Sequence, residues 1–259
     1  MVNGNNNSRI INGLPSPEGK WPEMAAIYRF GDFICGGVVW NENTILTAGH
    51  CICIKGSLPE GCEIDEDLST YKIILGHHIR SEADDYYKFD IESVHLHPNY
   101  EPDYLMYDIA VVRLKRLIEL DGLNEKVKCA CEPQPLKNLR TDLCFALGWG
   151  TMDPKRIILA DHLQEVIIPI QNEQWCREYQ SMPGYNPEYH ICVSNPEGGK
   201  DACKGDSGGP LLCANRKDLS EFSLVGINSY GLHCAMPNQP AYFTRVYEFV
   251  DWIKEQSGE

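Results

Sequence analysis

No stretch of this chain approaches the ~20 consecutive apolar residues that a helix needs to span a bilayer, and no membrane association is expected. Positive charge is also scarce. There are 23 Lys and Arg against 37 Asp and Glu, a formal net charge of −14. That deficit removes the electrostatic basis for gripping nucleic acid or an anionic membrane surface. No internal repeat is visible. Residues 1–9 hold no apolar signal core; Met1 to Ser8 is Asn-rich and polar, and it reads as a disordered tail. Asn6-Asn7-Ser8 forms a glycosylation sequon.

Cysteine is plentiful: 12 in 259 residues, with 43% of the chain hydrophobic. The first figure points to an oxidising, extracellular compartment, and the second supplies a sizeable core. The expected protein is secreted, with its leader missing from the sequence. Strand-like runs separated by turn residues recur: Ala25–Phe30 and Ile34–Trp40 around a Gly31-Asp32 turn, Thr44–Thr47, Tyr71–Gly76, Phe89–His97, Cys144–Gly150, Leu163–Ile170, Phe222–Ser229 and Ala241–Val246. Glu173–Tyr179 reads as a short helix. Tyr247–Glu255 carries Phe249, Val250, Trp252 and Ile253 at amphipathic-helix spacing. Polar, Pro-bearing residues 120–139 read as a linker inside one unit.

Three separated stretches carry chemistry. Ser207 lies in Gly199-Lys200-Asp201-Ala202-Cys203-Lys204-Gly205-Asp206-Ser207-Gly208-Gly209-Pro210. A serine hydroxyl is a weak nucleophile that needs a base and an anion site, and glycines let backbone N–H groups approach a substrate carbonyl. Thr47-Ala48-Gly49-His50-Cys51 offers the base. Asp108, in Tyr107-Asp108-Ile109-Ala110-Val111-Val112, is a carboxylate heading an apolar strand, and such a group needs a partner. In the chain order His50, Asp108, Ser207, with these contexts, the sequence resembles the trypsin-like serine proteases of the chymotrypsin family, from Ile10 to about Trp252.

The resemblance implies an all-β fold of two six-stranded antiparallel β-barrels with a C-terminal helix, spanning residues 10–255 after a tail or propeptide remnant at 1–9. It implies a secreted endopeptidase in which Ser207 attacks, His50 is base then acid, and Asp108 orients His50. The Gly205 and Ser207 amides form the oxyanion hole. Asp201 selects Lys or Arg from the floor of a pocket walled by Ala202, Ser229, Tyr230, Gly231 and Ala241. Arg9 and Ile10 mark an activation cleavage whose new amino group pairs with Asp206. The disulfides implied are Cys35–Cys51, Cys144–Cys213, Cys176–Cys192 and Cys203–Cys234.

Four cysteines remain, and their three connectivities are not settled by sequence. Cys53–Cys62 is favoured, because the two could close the insertion that follows His50 as a local loop; a Cys129–Cys131 bridge would be strained, and a cysteine near Cys131 often tethers an upstream prosegment in the family. Several positions depart from the family pattern: Asn12 and Ala241 for glycine, Gly49 for alanine, Tyr230 for tryptophan, and His77 for a carboxylate. Residues 53–67 form an acidic insertion, with Glu60, Glu63, Asp65, Glu66 and Asp67, that either rims the cleft or is plain solvated surface. No cofactor or metal is expected. Calcium at the 77–85 loop, with Glu82, Asp84 and Asp85 as oxygen ligands, is the exception considered, and the imidazole of His77 suits it poorly. Expected partners are protein or peptide substrates, an activating trypsin-like protease and protein protease inhibitors. The alternative is a catalytically inactive homologue that serves as a binding module.

Overall fold

The structure, a computed structural model, describes residues 13–57, 61–82, 87–120, 126–153, 156–180, 184–232 and 234–259. Arg9, Ile10, the 6–8 sequon, Glu60, Asp84, Asp85 and residues 121–125 of the linker lie outside them. Alternating apolar runs broken by turns produce two antiparallel sheets. The first runs in the order Lys88–Phe89, Tyr71–Leu75, Met24–Arg29, Asp32–Asn41, Thr44–Thr47, Ala110–Leu114, Ile91–Leu96. The second runs Leu14–Pro15, Gln164–Ile167, Leu139–Gly148, Pro210–Asn215, Phe222–Gly231, Ala241–Arg245, His190–Val193. Each is the expected set of six strands with one extra two-residue strand. An Ile170–Val193 bridge links the two ends of the second set, closing it into a barrel. Closure of this second set leaves it, among the described residues, no long edge on which another chain could add a strand.

One continuous core joins the barrels. Ile27, Val38, Ile45, Leu46, Ile73 and Val111 from the first pack in the same cluster as Phe145, Leu147, Trp149, Leu212 and Ile227 from the second. Trp149 is fully buried at the seam. Its ring meets Phe33 edge-on at 5.9 Å and stacks on His77 at 5.2 Å, and its Nε1 donates to the His78 carbonyl. Disulfides join Cys35–Cys51, Cys53–Cys62, Cys144–Cys213, Cys176–Cys192 and Cys203–Cys234; Cys129 and Cys131 are free and exposed. The Cys53–Cys62 bond closes a small hairpin, Cys53–Ser57 against Gly61–Ile64, which forms much of the acidic insertion.

Two local expectations shift. The first hairpin turns at Phe30-Gly31, one residue earlier than expected, with φ of 52° and 86°. A two-residue turn needs positive φ at both positions to match the strand twist, and Phe30 accepts it while its ring lies under the Arg29 guanidinium at 5.0 Å. The C-terminal helix begins later, at Val250–Ser257, because Val246–Phe249 forms a tighter 3-10 turn first.

Candidate active site

Register brings the candidate residues together. Thr47 pairs with Ala110 across neighbouring antiparallel strands. His50 follows the first strand by three residues and Asp108 precedes the second by two, so both reach the same end of the barrel. Between them, Tyr107 has φ 53° and Ile109 N–H donates to the Tyr107 carbonyl, a tight turn centred on Asp108. A tyrosine held in this left-handed conformation costs on the order of 1–3 kcal/mol. Its ring is fixed by stacking on His97 at 5.1 Å and packing against Tyr189 at 4.6 Å.

The Asp108 carboxylate is completely buried. Its Oδ1 accepts the His50 backbone N–H at 2.8 Å. Its Oδ2 lies 2.8 Å from His50 Nδ1 and accepts the Ser229 hydroxyl at 2.5 Å. The Thr244 hydroxyl donates to the Asp108 carbonyl at 2.7 Å. Burial pushes the Asp108 carboxyl up, but the His50 charge and these hydrogen bonds outweigh it and hold it below the usual carboxylate range. Burial pulls His50 down, and the charge and hydrogen bond of Asp108 overcome that, leaving its pKa raised. A raised imidazole pKa suits a base that must take up a proton and keep it briefly. An alanine methyl at Gly49, usual in the family, would lie 2.7 Å from Leu96 Cδ1, so the end of the Leu96 side chain would have to move to admit it.

Ser207 enters from the second barrel, three residues before the Pro210–Asn215 strand. Gly36 N–H of the first barrel donates to its carbonyl, and Gly208 N–H donates to Asn228 O. Gly208, at φ 75°, is the glycine that cannot change: a Cβ there would sit 2.2 Å from Thr47 Oγ1 and 2.4 Å from Gly36 O. The Asp206, Gly208 and Gly209 amides all donate to carbonyls. Among the described residues, the Gly205 and Ser207 amides donate to none, so both are available to a developing oxyanion. The Ser207 hydroxyl makes no hydrogen bond to His50 Nε2, a contact that often tightens only with substrate in place.

A cavity of about 190 Å³ opens beside Ser207, lined by Ala202, Ser229, Tyr230, Gly231, Ala241, Asn228 and Lys204 among others. A Cβ on Gly231 would lie 3.4 Å from the Ala241 methyl, so the pocket is open at that point because one wall has no side chain. Asp201 does not line the cavity directly. It is buried one residue before Ala202, with Oδ2 accepting the Ala235 N–H at 3.0 Å and Oδ1 without a partner. Burial raises its pKa to about 7. Asp206 is buried too, and is raised to about 6, but both its oxygens are satisfied, by Gly150 N–H and Cys203 N–H. Residues Lys204 and Asn228 were not flagged by the sequence, because neither sits in a motif of its own.

Among the described residues, Cys35, His50 and Cys51 are the one trio with ligand atoms within 4.8 Å of one another, and the two sulfurs are spent in a disulfide. His77, which stands where the family has a carboxylate in the loop considered for calcium, stacks on Trp149.

The family description Trypsin matches residues 10–253. The chain is 32% identical over 260 residues to the clotting factor G beta subunit of Tachypleus tridentatus, covering 96% of this chain and 79% of that protein. It is 33% identical to mannan-binding lectin serine protease 1 of Rattus norvegicus over 97% of this chain, but over only 36% of that protein. Against transmembrane protease serine 5 of Homo sapiens it is 30% identical, again over 97% of this chain and 52% of the relative. The chain thus spans most of the first relative and about a third to a half of the other two. With a family match across nearly its whole length, set on a two-barrel fold, the chain belongs to the trypsin family of serine proteases.

Proposed function

We propose that this chain is a secreted endopeptidase that cleaves after Arg or Lys and is switched on by cleavage between Arg9 and Ile10. The single observation that carries the reading is the buried Asp108, bonded at once to His50 Nδ1, the His50 amide and Ser229. In this mechanism Ser207 Oγ attacks the scissile carbonyl while His50 Nε2 takes its proton. The Gly205 and Ser207 amides receive the oxyanion. Protonated His50 then delivers its proton to the leaving amine, and a water repeats the sequence on the acyl-enzyme. Asp108 keeps Nδ1 as the donor nitrogen, so Nε2 is the one free to accept.

Specificity follows from Asp201. A buried carboxylate with one unpartnered oxygen favours a cation, and a basic substrate side chain brings one. Activation follows from Asp206: two backbone donors but no opposite charge among the described residues, so an α-amino group folded inward completes it. The five disulfides support an extracellular setting. Protein substrates, an activating protease and protein inhibitors are the partners this reading requires.

A labelled fluorophosphonate tests the whole reading. It should modify Ser207 in the chain cleaved after Arg9, and label the Arg9→Gln chain treated with the same activating protease far more weakly. Equal labelling of both removes the activation step; no labelling of the cleaved chain removes the nucleophile.

Asp108→Asn is expected to lower kcat roughly 10⁴-fold, a scale borrowed from the same exchange in another member of the family, because the amide imposes the wrong tautomer on His50. Steady-state kinetics with an intact fold by circular dichroism is the check.

The raised pKa of Asp201 gives a pH dependence of defined sign. An acid whose folded pKa lies above its unfolded value binds extra protons when folded, so its contribution to stability is lost as pH rises from about 4 to about 7. A cationic pocket ligand reverses the preference, since it needs the ionised form. Benzamidinium affinity should therefore climb up to tenfold per pH unit below about 7 and level off above it. Asp201→Asn should remove that slope and most of the affinity; an unchanged slope assigns it to another group.

Arginine should be preferred over lysine. Guanidinium meets a carboxylate with a planar fork, whereas lysine's ammonium relies more on water and a neighbouring hydroxyl. Ala202 offers no hydroxyl. The missing hydrogen bond to a charged group is worth about 1.5 kcal/mol, roughly tenfold in kcat/KM. Paired peptides differing only in Arg or Lys, with Ala202→Ser alongside, decide it: equal rates, or no gain for lysine in the serine variant, end the argument.

A further inference from the structure

One charged side chain stands in the wall of the cleft, and the chemistry proposed above does not use it. Among the described residues that line the cavity of about 190 Å³ beside Ser207, Lys204 alone carries a formal charge. Its backbone is held from both sides. Lys204 O accepts the Thr151 N–H at 2.7 Å. Cys203, just before it, is bridged to Cys234 and donates its N–H to Asp206 Oδ2 at 2.9 Å. The side chain itself is exposed, which puts it at the mouth of the cavity. Among the described residues its ammonium has no hydrogen bond and no ion pair. Nor does it fold inward to Asp201, whose Oδ1 is left without a partner.

The cavity is thereby polarised. A buried carboxylate, Asp201, sits next to the lining residue Ala202, and an unpaired ammonium stands at the open end only three residues further on. The whole chain, at a net charge of −14, attracts cations from a distance. Screening confines that field to about 8 Å at physiological ionic strength, so at contact range the nearest charge decides. An arginine or lysine entering the cavity meets Lys204 as a like charge on its way to Asp201. A carboxylate carried by the same substrate, placed beside Lys204, turns that repulsion into an ion pair.

We propose that Lys204 is a specificity residue of this cleft, and that the substrate class is a peptide with a basic residue at the cleaved bond and an aspartate or glutamate two residues from it. The proposal rests on the reading that the cavity takes Arg or Lys. The spacing follows from extended backbone. Side chains of an extended substrate alternate between faces, so the immediate neighbours of the basic residue point away from the cavity. Those two residues away, before or after it, return to the cavity's side about 7 Å along the chain. A lysine's flexible four-carbon stem spans a comparable distance and needs no fixed geometry to meet a carboxylate. Lys204 adjoins Gly205, whose amide is free for the oxyanion, so the pair forms close to the bond being cut.

The test is kcat/KM of the activated chain on a matched peptide set. The parent peptide has arginine at the cleaved bond and glutamine two residues before and two after it. Glutamate replaces the glutamines one at a time, and in a further peptide it replaces the residue adjacent to the arginine. Glutamate two residues away, on at least one side, should raise kcat/KM about two- to fivefold over glutamine. The side that responds locates the contact. The gain should shrink towards nothing as salt rises from about 0.01 to about 1 M. Lys204→Gln should abolish the preference, and Lys204→Glu should reverse it, so that the glutamate peptides become the poorer substrates. A purely structural role for Lys204 would instead change all the peptides by one common factor. No gain on either side, an equal gain wherever the glutamate is placed, or an undiminished gain in Lys204→Gln overturns the proposal while leaving the preference for a basic residue intact. Failure of the activated chain to cleave the parent after arginine removes that preference, and this inference with it.

Discussion

A carboxylate with no exposure to water is the constraint on which the rest of this structure turns. Asp108 is held by donors from four places: the His50 backbone, the His50 ring, the Ser229 hydroxyl and, at its own carbonyl, Thr244. Two belong to the first barrel and two to the second. Removing one partner from a buried charge typically costs about 3–5 kcal/mol, more than most single core contacts supply. Through Asp108, His50 of the first barrel is thus tied to Ser229 and Thr244 of the second. Cleft geometry and folding stability are set by the same four bonds.

Asp201 and Asp206 show how similar burial leads to different chemistry. Both are nearly inaccessible and both have raised pKa values. Asp206 sits in a cradle that only glycine permits: a Cβ on Gly148 would fall 2.1 Å from its Oδ1, and one on Gly150 about as close. Its oxygens are both bonded, to the Gly150 and Cys203 amides. Asp201 keeps one oxygen without a hydrogen-bond partner among the described residues.

Much of this was legible in the sequence, for identifiable reasons. Ser207, His50 and Asp108 stand in short motifs whose local context survives without any knowledge of distance, and alternating apolar runs announced the strands. What closes the site is register, Thr47 against Ala110, and register is long-range. Lys204 stands inside the stretch around Ser207, but its place in the pocket wall was not legible, because a lysine between Cys203 and Gly205 carries no sign of which way it faces. Nor was the space that Leu96 takes from position 49, since it depends on a strand nearly fifty residues away. The ladder between residues 78–80 and 161–163 left no trace either: it pairs loops, which carry no alternating pattern.

The extended segment through Ala130 ties the barrels from outside, with Ala130 N–H on Val39 O and Leu224 N–H on Cys131 O. It presents Cys129 and Cys131, the two thiols left after every other cysteine is bridged. Burial, and then nearby glutamates, raise the pKa of each, so thiolate is scarce at neutral pH and exchange is slow. For anyone preparing the protein, this makes the pair a memory of its redox history. Thiols of raised pKa exchange slowly, so whatever oxidation state the pair acquires is slow to change.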